Sequence, residues 1–263
     1  MIHRPMCASL LLAIFSAPAI AQESPQAWLS RLNTVVSKPI EAKQSMTRDA
    51  NGTTFITETS FLIADKNHFR VSMSQKIEGR DEQGEPVTSV VEMLNVADGS
   101  WLWMQATDPV SGQGQVRRVE LKEMAGKAKA AGSNFTAMHP AAFILELCEL
   151  VEFESVELEK NRVILKADFS EDAKSKLIGG FRGGVPRTLT LVLDRQTAFP
   201  MHFVVESYHK VLVDCTFTDI IFIDPKKIDE KEFVFEVPDG LSFNQPVLPP
   251  QQKTKPRKNN DKE

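Results

Sequence analysis

Short runs of β-branched and aromatic residues succeed one another along most of this 263-residue chain, each ended by a turn signal. Phe55 to Ala64, Phe69 to Gln75, Val87 to Val96 and Trp101 to Gln105 form a first group, punctuated by Asn51-Gly52, Asp65-Lys66-Asn67 and Asp98-Gly99. Val151 to Glu159, Arg162 to Phe169, Thr188 to Asp194, Met201 to Tyr208, Val211 to Ile223 and Phe233 to Val237 form a second. Residues of these types suit a pleated, half-buried surface, and Asn-Gly or Asp-Gly pairs reverse the chain between strands. Phe69, Val71 and Met73 alternate with Arg70, Ser72 and Ser74, and Leu189, Leu191 and Leu193 alternate less strictly with their neighbours. A period of two gives a sheet one apolar face and one wet face. A sheet of about ten or eleven strands curls, and its apolar face must be covered. The expectation is a mainly β (α+β) fold, a curved antiparallel half-barrel with short helices over the concave face. No internal repeat or linker divides the chain, so one domain is expected over residues 22–245.

Helical signals are few. Ser24-Pro25 is a good cap followed by proline at the first helical position, and Trp28, Leu32, Val35 and Val36 recur at helical spacing before Pro39. Leu121 to Ala131 is short and rich in Ala and Lys. After His139-Pro140, Phe143, Ile144, Leu147, Leu150 and Val151 give an apolar helix. Ser170 caps a last short turn through Leu177, which Gly179-Gly180 stops.

The two ends read differently from the middle. Arg4, an apolar run from Leu10 to Phe15 and the small-residue box Ala19-Ile20-Ala21 have the order of a secretory signal. Residues 1–21 are therefore expected to be removed on export, and the run is shorter than the roughly 20 apolar residues of a spanning helix. The compartment implied is an oxidising one outside the cytoplasm, without ATP or NAD. Residues 246–263 combine Pro246, Pro249, Pro250 and Pro256 with Lys253, Lys255, Arg257, Lys258 and Lys262, and read as a disordered basic tail. With a net charge of −4 overall, nucleic acid is not an expected partner.

Catalytic signatures are missing. His68, His139, His202 and His209 lack the spacing of metal ligands, and no nucleophile elbow is present. Gly179 to Gly184 lacks the Gly-Lys-Ser/Thr ending of a phosphate loop. Glu152, Glu154, Glu157 and Glu159 alternate with apolar residues, as the wet face of a strand does. Neither enzymatic activity nor a metal or cofactor is expected. Cys148 and Cys215 are either a disulfide pair or two buried thiols, and their spacing leaves both open.

The positive signal is aromatic and methionine content. Trp101 and Trp103 project from one face of a strand, as do Phe61 with Ile63, and Phe69, Val71 and Met73, on theirs. Met93 and Met201 add polarizable surface suited to an adaptable pocket.

The order of motifs resembles a known family. An amphipathic helix and paired strands lead to Ala97-Asp98-Gly99-Ser100-Trp101-Leu102-Trp103. A proline-led helix from His139-Pro140 to Leu150 follows, and the end reads Phe233-Val234-Phe235-Glu236-Val237-Pro238-Asp239-Gly240. From about Trp28 to Gly240 this is similar to the periplasmic outer-membrane lipoprotein carriers, the LolA-like proteins. The resemblance implies a half-open barrel that shelters lipoprotein acyl chains under a helical lid, receiving them from and passing them to membrane-bound proteins. It also implies a lid-latching arginine where this chain has Asp65 and Lys66. The apolar cavity would be lined by Phe61, Phe69, Val71, Met73, Trp101, Trp103, Phe143 and Leu147. The expected protein is a monomeric carrier of a lipoprotein or another acylated or apolar ligand. The alternative is a periplasmic sensor or protein-interaction module on the same fold.

Overall fold

The computed structural model describes residues 23–50, 52–80, 83–124, 141–173 and 184–244. The expected signal segment, the basic tail and the glycine run from 179 to 183 lie outside them.

A single open sheet dominates these residues. Its strands are β1 (Ile40–Ala50), β2 (Thr53–Ile63), β3 (His68–Arg80), β4 (Pro86–Asp98), β5 (Trp101–Thr107), β6 (Gly114–Glu120), β7 (Val151–Leu158), β8 (Arg162–Phe169), β9 (Thr188–Asp194), β10 (Pro200–Glu206), β11 (Val211–Phe222) and β12 (Ser242–Asn244). They stand in the order β12-β6-β5-β4-β3-β2-β1-β11-β10-β9-β8-β7. Only the short β12–β6 pair is parallel; the other pairings are antiparallel. This is the curved half-barrel architecture that the strand patterning predicts.

The turns form where their residues dictate. Asp98 Oδ1 accepts the Ser100 and Trp101 amides at 3.0 and 2.8 Å, while Gly99 takes φ 93°, which costs glycine nothing sterically. Asp65 Oδ1 likewise accepts the Asn67 and His68 amides, so this residue is spent on the β2–β3 turn, and Lys66 beside it is exposed.

Two helices lie on one face. In α1 (Pro25–Val35) the Ser24 hydroxyl accepts the Ala27 amide at 3.3 Å, and Trp28, Leu32 and Val35 are buried. In α2 (Ala142–Cys148) Ile144 and Leu147 are buried while Phe143 is exposed. Residues 121–124 and 171–173 are helical, and the Ser170 hydroxyl accepts the Ala173 amide as its cap; the rest of those two expected helices lies outside the described residues. One continuous core joins α1 and α2 to Phe61, Phe69 and Val71 on one side, and to Leu165, Leu191, Phe203 and Phe217 on the other.

Three strands escape the sequence patterning: β1, β6 and β12. In the opposite direction, Phe233 to Val237 is not a strand. It follows a 3-10 turn at Glu230–Phe233, capped by the Asp229 carboxylate on the Lys231 amide, and runs as irregular chain across the outer face of the sheet. Its aromatic side chains are satisfied by packing onto His68 and Trp103 rather than by a ladder, and a ladder is what alternation alone implies.

Candidate functional site

The register assigns every side chain of β1 to β5 to a face. On the helix side, successive cross-strand rows read Ile40-Ile63-Phe69-Ala97-Leu102, then Ala42-Phe61-Val71-Asn95-Met104, then Gln44-Thr59-Met73-Met93-Ala106, then Met46-Thr57-Gln75-Val91. Residues directly opposite have Cβ atoms about 5 Å apart, so each row is a contiguous contact surface. The first two rows are largely core: Ile40, Ala42, Phe61, Ile63, Phe69, Val71, Ala97 and Leu102 are all buried. Met46, Met73, Met93 and Met104 are half-buried and continue this face along the strands, Met46 and Met104 packing against the core. The result is a passage along β3, from closed core at Val71 to adaptable thioether surface at Met73 and Met93.

Polar residues interrupt this surface on β1 and β2, and Gln75 and Asn95 add two more on β3 and β4. Gln44, Thr57 and Thr59 are buried, at 8%, 2% and 3% exposure. The Gln44 amide donates to Cys215 Sγ at 3.1 Å, and the Gln75 amide donates to the Thr57 hydroxyl at 3.3 Å. The Thr59 hydroxyl has no partner. A buried hydroxyl left unpaired costs about 1–3 kcal/mol. Two residues beyond Met46, Arg48 lays its guanidinium 4.8 Å from the Phe55 ring centroid, and its Nε is buried and unpaired.

The eight expected cavity residues do not share one surface. Phe61, Phe69, Val71 and Leu147 meet in the core, and Met73 joins them on the same sheet face. Phe143 turns outward from α2, its ring centroid 6.4 Å from that of Phe203. Trp101 and Trp103 lie on the opposite face of the sheet. The reason is parity: Leu102 is the buried helix-side residue of β5, so both of its neighbours must point away. Trp103 stands in a row with Arg70 and Val96 and stacks on Phe235 at 5.3 Å and 15°. Its indole N–H donates to Asp98 Oδ2 at 3.1 Å, and the Arg118 guanidinium lies 4.2 Å from the Trp101 ring and 5.1 Å from that of Trp103. Burial pushes the Asp98 pKa upward, but the amides of Trp101 and Ser100 and the Trp103 indole outweigh it, and the carboxyl sits below its ordinary range.

On this outer face Phe233 is buried, and the Arg70 guanidinium donates to the Glu232 carbonyl at 3.5 Å. Clefts of about 860 and 520 Å3 flank the crossing chain. Leu62 and Ile221 line the first, Leu94 and Val234 the second, and Arg70 borders both.

Cys148 and Cys215 are free thiols, Cys215 buried and Cys148 half-buried. Burial is the main cause that pushes both pKa values up to about 12. On α2, Glu146 has one carboxylate oxygen buried without a partner, and burial together with the nearby Glu149 charge raises its pKa.

Met46, Met104, Gln44 and Thr59 were not singled out by sequence. The signal was present in β1, where Ile40, Ala42, Gln44 and Met46 alternate with Glu41, Lys43, Ser45 and Thr47. Low β-propensity at Glu41, Ala42, Lys43 and Gln44 hid it.

No protein-family model and no curated protein matches the chain. Among solved structures it is similar to LprF from Mycobacterium bovis, at 10% identity and TM-score 0.41, covering 77% of this chain and 98% of that one. It is also similar to a LolA superfamily protein from Nitrosomonas europaea, at 10% identity and TM-score 0.32, covering 81% and 98%. MucB in complex with MucA(peri) matches at 15% identity and TM-score 0.31, covering 75% of this chain and 55% of that one. These are distant likenesses of architecture.

Proposed function

We propose that this protein is exported and binds an apolar, acyl-chain-bearing ligand on the helix side of its sheet, sheltering it from water. The acyl chains of lipoproteins on their way to the outer membrane are the cargo we infer. The observation that carries this reading is the half-buried methionine surface of Met46, Met73, Met93 and Met104, continuous with the buried Phe61 and Val71. Unbranched thioether side chains repack around a flexible chain at little cost. Each methylene removed from water contributes about 0.8 kcal/mol, so even part of an acyl chain supplies useful affinity. Binding of this kind needs no covalent chemistry from the protein.

Titration with a fluorescent fatty-acyl probe tests the proposal. The wild type is expected to bind it saturably, and Met73→Glu and Met93→Glu each to weaken binding at least about tenfold, because a charge enters apolar surface. Both positions are half-buried, so circular dichroism should show the sheet retained. Absence of saturable binding, or full affinity in both folded variants, overturns the assignment.

A further inference from the structure

Thr59 sits where an acyl ligand on this surface would pass. Its row places it between Gln44 and Met73, one row beyond Phe61 and Val71. It is 3% exposed, and its hydroxyl has neither donor nor acceptor. Threonine hydroxyls on strands ordinarily bond a neighbour or water, and a group this buried without a partner calls for an explanation. The nearby polar groups do not supply one. Gln44 directs its amide N–H away, to Cys215 on β11, and Thr57 is engaged by Gln75. What remains is one unused hydroxyl donor set into the methionine surface.

We propose that Thr59 is the recognition point for the carbonyl of an acyl ester or amide, so that the ligand is an acylated molecule rather than a plain hydrocarbon. The Thr59 hydroxyl donates to the acyl carbonyl oxygen. The acyl tail then runs over the half-buried Met73, Met93 and Met104 on one side, and the remainder of the molecule extends past Met46 towards Arg48. A site built around a hydrogen bond rejects a ligand that lacks the partner, because the buried group is then left unpaired. The apolar rows supply affinity, and Thr59 supplies selectivity and register along the strands. This inference rests on the acyl-binding reading above and names its ligand class.

Two probes of equal length separate the possibilities: the methyl ester of pyrene-labelled dodecanoic acid, and dodecylpyrene, which lacks the carbonyl. Wild type and Thr59→Val, which swaps a hydroxyl for a methyl at nearly constant volume, are titrated with both. The wild type is expected to prefer the ester. Thr59→Val is expected to weaken ester binding about 3- to 10-fold, the range of one hydrogen bond, and to leave dodecylpyrene unchanged. Its melting temperature should be equal to or above that of the wild type, since an unpaired hydroxyl has been removed. Equal effects on the two probes, or a lowered melting temperature, overturn the role of Thr59 while leaving the apolar site standing. Failure of the wild type to bind either probe overturns both.

Discussion

Removing the Trp103 side chain should cost stability and leave ligand binding alone. The indole stacks on Phe235 at 5.3 Å, a contact worth about 1 kcal/mol beyond its buried area. Its N–H donates to the half-exposed Asp98 carboxylate at 3.1 Å, adding about 1 kcal/mol net. The Arg118 guanidinium, 5.1 Å from the ring, contributes about 0.5 kcal/mol at an exposed site. With some loss of packing on Val96, Trp103→Ala is expected to destabilise the fold by about 3 kcal/mol, a melting-point drop of about 6–12 °C for a chain of this size. A double-mutant cycle with Phe235→Ala should recover a coupling of about 0.5–1.5 kcal/mol. Acyl-probe affinity, measured well below the new melting point, should change by less than about twofold, because Trp103 and the methionine surface lie on opposite faces of the sheet. Loss of probe binding in a stably folded Trp103→Ala protein would refute the face assignment and the parity argument behind it.

Phe199 is fully buried, with T-shaped contacts to Phe217 at 5.8 Å and Phe222 at 5.9 Å, so Phe199→Ala should cost about 3–5 kcal/mol in urea denaturation. Cys148 and Cys215 should resist a thiol reagent in the native protein at about pH 8 and both react once it is unfolded, since thiols with pKa values near 12 hold almost no thiolate. Rapid native labelling would contradict their burial. The Asp98 pKa is depressed in the folded state, so its contribution to stability is fully present above the unfolded value and is lost as pH falls through the folded one. The urea-midpoint difference between wild type and Asp98→Asn should therefore shrink on going from about pH 6 to about pH 3. Glu146 has the opposite sign: its raised pKa means that ionisation disfavours the fold as pH rises past the unfolded value. Glu146→Gln should raise the melting temperature near neutral pH and have little effect in acid.

Strands rich in β-branched and aromatic residues were legible because their composition and their period point the same way. β8 and β9 run over the residues their patterns mark, and α1 starts at its Ser24-Pro25 signal. Strand β1 was hidden because Glu41, Ala42, Lys43 and Gln44 are poor strand formers. It is held by pairing on both sides, with β2 and β11, which no local window can register. Phe233 to Val237 failed the other way. Its alternation is real, but the partners of Phe233 and Phe235 are side chains on the outer face of the sheet.

By itself the sequence determined that this chain makes a large antiparallel sheet with a few covering helices, and it determined which residues of each strand travel together, because side chains alternate strictly along extended backbone. It did not determine which alternating set in each strand faces the helices. β5 carries Leu102 and Met104 on one side and Trp101 and Trp103 on the other, and both sets are apolar. Only the register linking β2 to β5 brought Phe61, Val71, Met73 and Met93 onto one face, put Trp103 on the other, and set the unpaired Thr59 hydroxyl among the methionines. Hydrogen-bonded pairing is a long-range relation between strands, and a one-residue slip would exchange the two faces entirely.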